Sequence, residues 1–317
     1  MLKIRTKMKT NKIILGVAAL AMFGMLPNAF GDMLYQWNFN STDGANTGTG
    51  SGGTLTANVG GATTGNFSGT GVSGNVGDSS LYTFDARDSY WGSGFGNAAG
   101  IGNVDLTGLT QFTITMWVKR SGSRDDTMLS IGSTTTPDGS SNPGIALGLS
   151  GNWHNGVSFG VNGSTEWSNG NLWGGYTSDW MFMAFTYTAT EGSWWSPTFG
   201  GIYFGGANQP GNAAILLGGI NTSVTVAQGF HIGGAADNPG SVALGSTASV
   251  FLGNYGAGDN GFSGNLDDVR IYNSLLTVSQ IDAVRLDALQ PAPEPSTMAL
   301  AAMGGAALLF LRRRTVR

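Results

Sequence analysis

The residues that could perform acid–base chemistry are few, and their spacing does not favour an active site. The 317-residue chain contains three glutamates, Glu166, Glu191 and Glu294. Glycoside hydrolysis needs two carboxyl groups about 5–5.5 Å or 6.5–9.5 Å apart. The adjacent pairs Asp125-Asp126 and Asp267-Asp268 do not suit this chemistry, because neighbouring side chains on a strand point to opposite faces. We therefore predict that the protein is not an enzyme; an active site assembled from distant aspartates is the alternative.

Nucleophilic and zinc chemistry lack the residues they need. The chain has no cysteine and two histidines, His154 and His231. His154 lies in a polar turn and is a weak binding candidate. His231 is expected to lie on a strand with its side chain toward the protein surface. Two separated histidines without a thiolate do not make a zinc site. Residues 69–74 match Gly-x-Gly-x-x-Gly, but no helix is predicted after them, so the dinucleotide-binding interpretation fails.

Calcium is the cofactor that the composition favours most. It binds oxygen ligands from aspartate, asparagine and backbone carbonyls in loops. The sequence offers such loops at Asp237-Asn238 and Asp259-Asn260, and Asp237 and Asp259 are the candidate calcium ligands. The alternative is that both aspartates are turn formers, because aspartate and asparagine tolerate the backbone conformations of turns.

Tryptophans are the remaining candidates for ligand binding. Six of the nine lie between positions 153 and 195, in a region rich in asparagine and glycine. Trp194 and Trp195 precede Pro197 in a predicted loop, and Trp153 lies in a polar turn. Exposed indole rings can stack on the faces of sugars, so these three are candidate glycan contacts. The alternative is a place in the core, which we expect for Trp180 at the start of a strand.

The N-terminus has the features of a secretory signal peptide over residues 1–31. A basic segment with five Lys and Arg residues precedes an apolar run at 13–26, and Ala29-Phe30-Gly31 offers small residues for signal peptidase. Cleavage is expected before Asp32. An apolar run of this length is typical of a signal peptide rather than of a spanning helix.

The C-terminal segment 291–317 combines three further features. Pro293, Glu294 and Pro295 form a Pro-Glu-Pro triplet, residues 298–311 are apolar or small, and Arg312, Arg313 and Arg314 follow. The apolar run is shorter than the about 20 residues of a spanning helix, so it favours a transient anchor. In order and kind these parts resemble the PEP-CTERM sorting signal. The resemblance implies an exosortase-like partner, an inner membrane in transit, and the cell surface of a Gram-negative bacterium; an ordinary tail anchor is the alternative.

The net charge of residues 32–293, the body between the two terminal signals, argues against nucleic acid as a partner. Residues 32–293 contain six Lys or Arg and eighteen Asp or Glu residues, a net charge of −12. Such a body repels phosphate backbones, so nucleic acid is not expected as a partner.

The composition favours many short strands. The chain has 53 glycines, with nine tryptophans and sixteen phenylalanines to form a core. Apolar side chains recur at every second position of residues 112–118, a pattern typical of a strand. It predicts that Phe112, Ile114, Met116 and Val118 face the core and that Trp117 lies on the opposite face. Residues 33–39 predict Tyr35, Trp37 and Phe39 on one face. Residues 41–80 are thin in apolar side chains and predict turns with short edge strands. Further strands are predicted at 81–85, 127–131, 144–149, 157–161, 180–188, 201–204, 223–227, 230–232 and 266–272.

One helix is predicted after the last strand. Thr277 and Gln280 fit a capping box, Ile281, Val284 and Ala288 follow at helical spacing, and Pro291 ends it. Strands without intervening helices favour a β-sandwich or barrel.

Three segments resemble a LamG-like (concanavalin A-like) domain. They are residues 81–90, the strand LTGLTQFTITMWVK at 106–119, and FSGNLDDVRIYNSLLTVSQI at 262–281. The resemblance implies an all-β jelly-roll β-sandwich over residues 32–290 with a short C-terminal helix, between the signal and sorting helices. It also implies that a calcium ion is often held at a loop edge, and we interpret Asp267 and Asp268 as structural.

These observations lead to one functional interpretation with two alternatives. We interpret the chain as an exported, non-catalytic cell-surface or extracellular-matrix protein, with binding to extracellular polysaccharide as a hypothesis. The alternatives are a carbohydrate-active enzyme on the same sandwich and a purely structural surface protein without a ligand, because one fold supports all three.

Overall fold

The computed structural model describes the body of the chain in segments. They are residues 31–40, 44–57, 63–85, 100–121, 126–132, 144–149, 157–162, 164–167, 180–189, 200–206, 225–229, 244, 247–253 and 261–290. Their strands are β1 (Met33–Trp37), β2 (Thr56–Ala57), β3 (Thr63–Thr70), β4 (Ser79–Asp85), β5 (Gly100–Val104), β6 (Gln111–Arg120), β7 (Asp126–Ile131), β8 (Ile145–Leu149), β9 (Val157–Val161), β10 (Ser164–Trp167), β11 (Met181–Thr188), β12 (Gly200–Gly206), β13 (Thr225–Gly229), β14 (Ala248–Leu252) and β15 (Gly264–Tyr272). Helix α1 (Val278–Ala288) follows β15.

The described strands form two antiparallel sheets. The eight-stranded sheet has the order β13-β12-β11-β6-β15-β4-β3, and β1 also pairs with β15. The seven-stranded sheet has the order β10-β9-β8-β7-β14-β5-β2. The predicted all-β sandwich with one short C-terminal helix is confirmed. Between residues 41 and 80, β2 and β3 each lie at a sheet edge, as expected; β2 is short, with two residues, whereas β3 has eight and is longer than predicted.

The main core lies between the two sheets. Phe112, Ile114, Met116 and Val118 of β6 all face it and are fully buried, as their alternation predicted. Aromatic rings join the two layers: Phe159 of β9 lies 6.0 Å from Phe112 in an edge-to-face contact. Burying side chains of this size contributes about 1.5–3 kcal/mol each.

The first strand contributes a large part of the same core. Tyr35, Trp37 and Phe39 are all buried in it, and the rings of Tyr35 and Trp37 stack with their centroids 5.8 Å apart. Their predicted common face is therefore confirmed, although β1 itself ends at Trp37 and Phe39 has a positive φ of 53°.

A second apolar cluster covers the outer face of the eight-stranded sheet. Helix α1 places Ile281 and Val284 against Trp117 of β6 and Phe182 of β11. Trp117 is fully buried there, and Trp180 packs against this cluster rather than in the predicted core between the sheets. The predicted capping box of α1 is present, with Gln280 N donating to Thr277 Oγ1 at 3.3 Å and Thr277 N donating to Gln280 Oε1 at 2.8 Å.

Strand β15 lies in the interior of the eight-stranded sheet and pairs with three other strands. One of its edges pairs with β6. The other edge is shared, because Gly264 to Leu266 pair with β4 and Val269 to Tyr272 pair with β1. The register against β6 shifts between Asp267 and Arg270, which marks a β-bulge at the point where the two partner strands diverge.

Candidate functional site

A polar cavity of about 400 Å³ opens where β4 and β1 diverge along β15. Four elements line it: the end of β1 and the residues after it, the loop at 71–78 between β3 and β4, the β15 bulge, and the C-terminal end of α1. We call this cavity the bulge pocket. Most of its lining side chains are carboxylates, carboxamides or hydroxyls, which makes it a polar surface.

The bulge places two neighbouring aspartates in one pocket. Asp267 and Asp268 both line the cavity, and the backbone of Asp268 has a positive φ of 44°. The expectation that these residues point to opposite faces is therefore wrong, because strand alternation is interrupted at a bulge. The N–H of Asp268 donates to Oδ1 of Asp267 at 2.7 Å, which fixes the first carboxylate against the backbone of the second residue.

Asp267 is a buried structural carboxyl group. The residue is only 1% exposed, and its Oδ2 accepts a hydrogen bond from the N–H of Val72 at 2.8 Å. Burial raises the pKa of Asp267 well above its usual range, and the nearby Asp78 and Asp268 carboxylates add to that rise. The hydrogen bonds from Val72 and Asp268 act in the opposite direction. The carboxyl group thus attaches the 71–78 loop to the sheet.

Asp268 takes part in a charged network that joins sheet and helix. Its Oδ1 accepts from Gln36 Nε2 at 2.9 Å and from Arg270 Nε at 2.9 Å, and its Oδ2 lies 2.8 Å from Arg270 Nη2. Arg270 Nη2 also donates to Asp287 Oδ2 of α1 at 2.7 Å. Burial alone would lower the pKa of Arg270, but the Asp268 carboxylate outweighs it and the pKa is raised. The predicted structural role of Asp267 and Asp268 fits this bonding.

The 71–78 loop is held by Asp78. Its Oδ2 accepts from the N–H of Ser73 at 2.8 Å and from Ser73 Oγ at 2.6 Å. A side chain at Gly71 would meet the Asp78 carboxylate at about 2.3–2.5 Å, and Gly74 has a φ of 67°. The glycine pattern at 69–74 therefore forms a strand end and a turn with no helix after it, as expected.

The candidate site residues named from the sequence fall outside the described ranges. This holds for the glycan contacts Trp153, Trp194 and Trp195, for the calcium ligands Asp237 and Asp259, and for Pro293, Glu294 and Pro295. The same is true of His154, His231 and residues 1–30. The calcium, glycan and signal-peptide assignments stay predictions.

The described ranges hold neither a metal-ligand cluster nor a spanning helix. No group of three histidine, aspartate or glutamate side chains in them is placed to hold a metal ion. Among the same residues, no helix combines the length and apolar character needed to cross a bilayer.

Sequence reasoning missed the bulge pocket, although one signal for it was present. Gln36, Asn38 and Asn40 alternate with Tyr35, Trp37 and Phe39, so a row of carboxamides had to lie opposite an aromatic row. All three carboxamides line the pocket. The partner of Gln36, Asp268, lies 232 positions away along the chain, and no local pattern identifies it.

Residues 291–314 match the PEP-CTERM protein-sorting motif. The sorting signal recognised from its Pro-Glu-Pro triplet, apolar run and arginines is confirmed. It implies export through sorting by an exosortase-like enzyme, a membrane-transit anchor at the C-terminus, and localisation at the surface. No curated protein matches the chain in sequence.

Several solved structures are similar in fold. Domain 4 of AbnA, a GH43 extracellular arabinanase from Geobacillus stearothermophilus in complex with arabinotriose, has 17% identity and a TM-score of 0.44 over 81% of this chain and 99% of that one. The ligand-binding domain of botulinum neurotoxin serotype D with N-acetylneuraminic acid has 14% identity and a TM-score of 0.45 over 81% of this chain and 51% of that one, about half its length. A SAP-like pentraxin from Limulus polyphemus has 13% identity and a TM-score of 0.35 over 57% and 72%.

Proposed function

We propose that the mature protein, residues 32 onward, is a non-catalytic module that a Gram-negative cell displays on its surface or in its extracellular matrix, where it contacts polysaccharide. One observation carries the surface display: the sorting motif begins at residue 291, just after helix α1 ends at Ala288. The sandwich and helix α1 are complete before the signal starts. Sorting can therefore process the tail without disturbing the packed domain.

The bonding of the bulge pocket supports a non-catalytic role. A general acid or base must reach its substrate within hydrogen-bond distance. Asp267 is 1% exposed and bonded to two backbone N–H groups, and Asp268 is bonded to Gln36 and Arg270. Both carboxyl groups are engaged in holding the fold. Trp153, Trp194 and Trp195, which lie outside the described residues, stay sequence-based candidates for an aromatic contact with sugar.

Two variants of the C-terminal tail, expressed in the native host, test whether the sorting motif directs the protein to the surface. Replacing Pro293, Glu294 and Pro295 with alanine should leave an uncleaved protein in the inner-membrane fraction, of slightly greater mass by mass spectrometry. Deleting everything after Gln290 should release a folded, soluble domain. Surface delivery of the triple-alanine protein at the parent's level would show that the tail is only an anchor.

A carbohydrate-active enzyme is the second candidate, and one observation favours it. The bulge brings two carboxyl groups into a single pocket, and burial raises the pKa of one of them. Pairs of carboxyl groups in different environments are common among acid–base catalysts. Release of reducing sugar from a polysaccharide panel, lost in Asp268→Asn, would establish this candidate in place of the non-catalytic one.

A further inference from the structure

We propose that the bulge pocket is a saccharide-binding site for neutral or amino sugars. The carboxamides of Asn38 and Asn40 and the carboxylates of Asp78 and Asp287 form the hydrogen bonds to the sugar. This inference rests on the proposed function and names the surface that would perform it. Four of the lining side chains share one feature: a single polar atom is bonded within the protein and the other polar atom has no partner among the described residues.

The two asparagines are held as oriented hydrogen-bond donors. Asn38 Oδ1 accepts from the N–H of Asn40 at 3.3 Å, and Asn40 Oδ1 accepts from the N–H of Ser79 at 2.7 Å. Each carboxamide oxygen is thereby used, and each Nδ2 is left with two hydrogens to donate. Fixing one end of a carboxamide reduces the entropy lost when the other end binds a ligand.

The two aspartates provide the complementary acceptors. Asp78 uses Oδ2 to bind Ser73, and Asp287 uses Oδ2 to bind Arg270, so Oδ1 of each carboxylate remains without a protein partner among the described residues. A sugar hydroxyl donates one hydrogen bond and accepts others. A pocket with oriented amide donors and carboxylate acceptors matches that dual character.

The size and charge of the pocket narrow the ligand class. Its volume of about 400 Å³ falls within the range of about 300–1,000 Å³ common for small-molecule sites. A second cavity of about 530 Å³ also borders Arg270 and Asp287, on the side of Tyr272 and Val284. Besides Asp267, whose pKa is raised by burial, three aspartates and one arginine line the bulge pocket, and this negative charge disfavours uronates and sulfated sugars.

The test compares wild type with a double variant, Asn38→Asp and Asn40→Asp, in the full-length protein purified in detergent. The substitutions keep the Oδ1 acceptors that bond Asn40 N and Ser79 N but remove both donor groups. Asn103→Asp is the matched control, because it adds the same kind of charge at an exposed position on the seven-stranded sheet. Calorimetric titration uses glucosamine oligomers, neutral dextran oligomers, polygalacturonate and calcium chloride alone as probes.

The expected result is binding of a neutral or amino-sugar probe by wild type and Asn103→Asp, weakened at least about tenfold in the double variant. Thermal melting verifies that the variants are folded, and Asp287→Asn, at an exposed side chain, should weaken binding in the same direction. Equal sugar binding by wild type and double variant would overturn the pocket assignment and leave the proposed polysaccharide contact intact. Absence of binding by wild type would overturn both. Calcium binding by wild type, without sugar binding, would instead identify a cation site.

Discussion

The two faces of the eight-stranded sheet are buried in different ways. The inner face packs against a second sheet through fully buried apolar and aromatic side chains such as Phe112, Ile114 and Phe185. The outer face is covered over part of its area by the 11-residue helix α1, and it combines Trp117 and Phe182 with Asp267 and Arg270. Nε1 of Trp117 is buried there without a hydrogen-bond partner among the described residues.

The difference shows how one sheet can be sealed from water on one face and keep a polar pocket on the other. A sheet is a cover large enough to exclude water along the whole inner face, whereas one short helix leaves a rim where charges and carboxamides remain in reach of solvent. The bulge pocket lies at that rim. Burial of polar groups is tolerated on this face because ion pairs and backbone N–H groups satisfy most of them.

The sharpest test of the contrast compares two phenylalanines of β11. Phe185→Ala on the inner face is expected to lower the free energy of unfolding by about 3–5 kcal/mol, since the rigid second sheet cannot close the cavity. Phe182→Ala on the outer face should cost less, because α1 can shift toward the vacated space. Urea denaturation measures both. Equal losses would mean that the helix covers the sheet as rigidly as the second sheet does.

Substitutions in the ion pairs of the outer face are expected to have the next largest effect on the free energy of unfolding. Arg270→Met leaves the buried Asp268 carboxylate uncompensated and should cost about 3 kcal/mol of unfolding free energy. Asp287→Asn removes only the partner whose side chain is 65% exposed, and such surface pairs contribute about 0–1 kcal/mol. Chemical denaturation near neutral pH separates the two. A large loss in Asp287→Asn would place the essential charge on the helix rather than in the sheet.

Titration of Asp267 should give the outer face its own pH dependence. The pKa of Asp267 in the folded protein is raised above that in the unfolded chain, so the native state retains a proton that the unfolded state has lost. Its contribution to stability is greatest below the unfolded pKa, about 4, and declines as the pH rises through the folded pKa. The free energy of unfolding is measured against pH for wild type and for Asp267→Asn, whose carboxamide does not titrate. The difference between the two curves isolates the contribution of Asp267. Parallel stability curves for the two proteins would contradict it.

The smallest expected effect concerns the start of α1. Thr277→Ala removes the side-chain acceptor of the capping box and should cost about 1 kcal/mol. Ser279→Ala, at an exposed position inside the helix, is the control and should be neutral or slightly stabilising. Thermal melting of both variants shows how much the capping box of α1 contributes to the stability of the protein.

The sequence predicted those features that depend on neighbours along the chain. The inward row of β6, the aromatic face at Tyr35 and Trp37, and the capping box at Thr277 all follow from short-range periodicity and are confirmed. The alternation on β6 left open whether Trp117 faces solvent, because its cover comes from a helix more than 150 residues later. The bulge at Asp268 depends on two strands meeting one edge of β15, which a linear pattern does not contain.

Strand β15 also determines when the molecule can be completed. It is the last of the described strands, yet it lies in the interior of its sheet and pairs with β1, so that Gln36 contacts Asp268 across 232 positions. Contacts this distant in sequence are slow to form, because a long loop must close first. A chain that ends before β15 lacks both this strand and the sorting signal. Such a product can neither finish folding nor be delivered, so the order of elements itself makes display conditional on full-length synthesis.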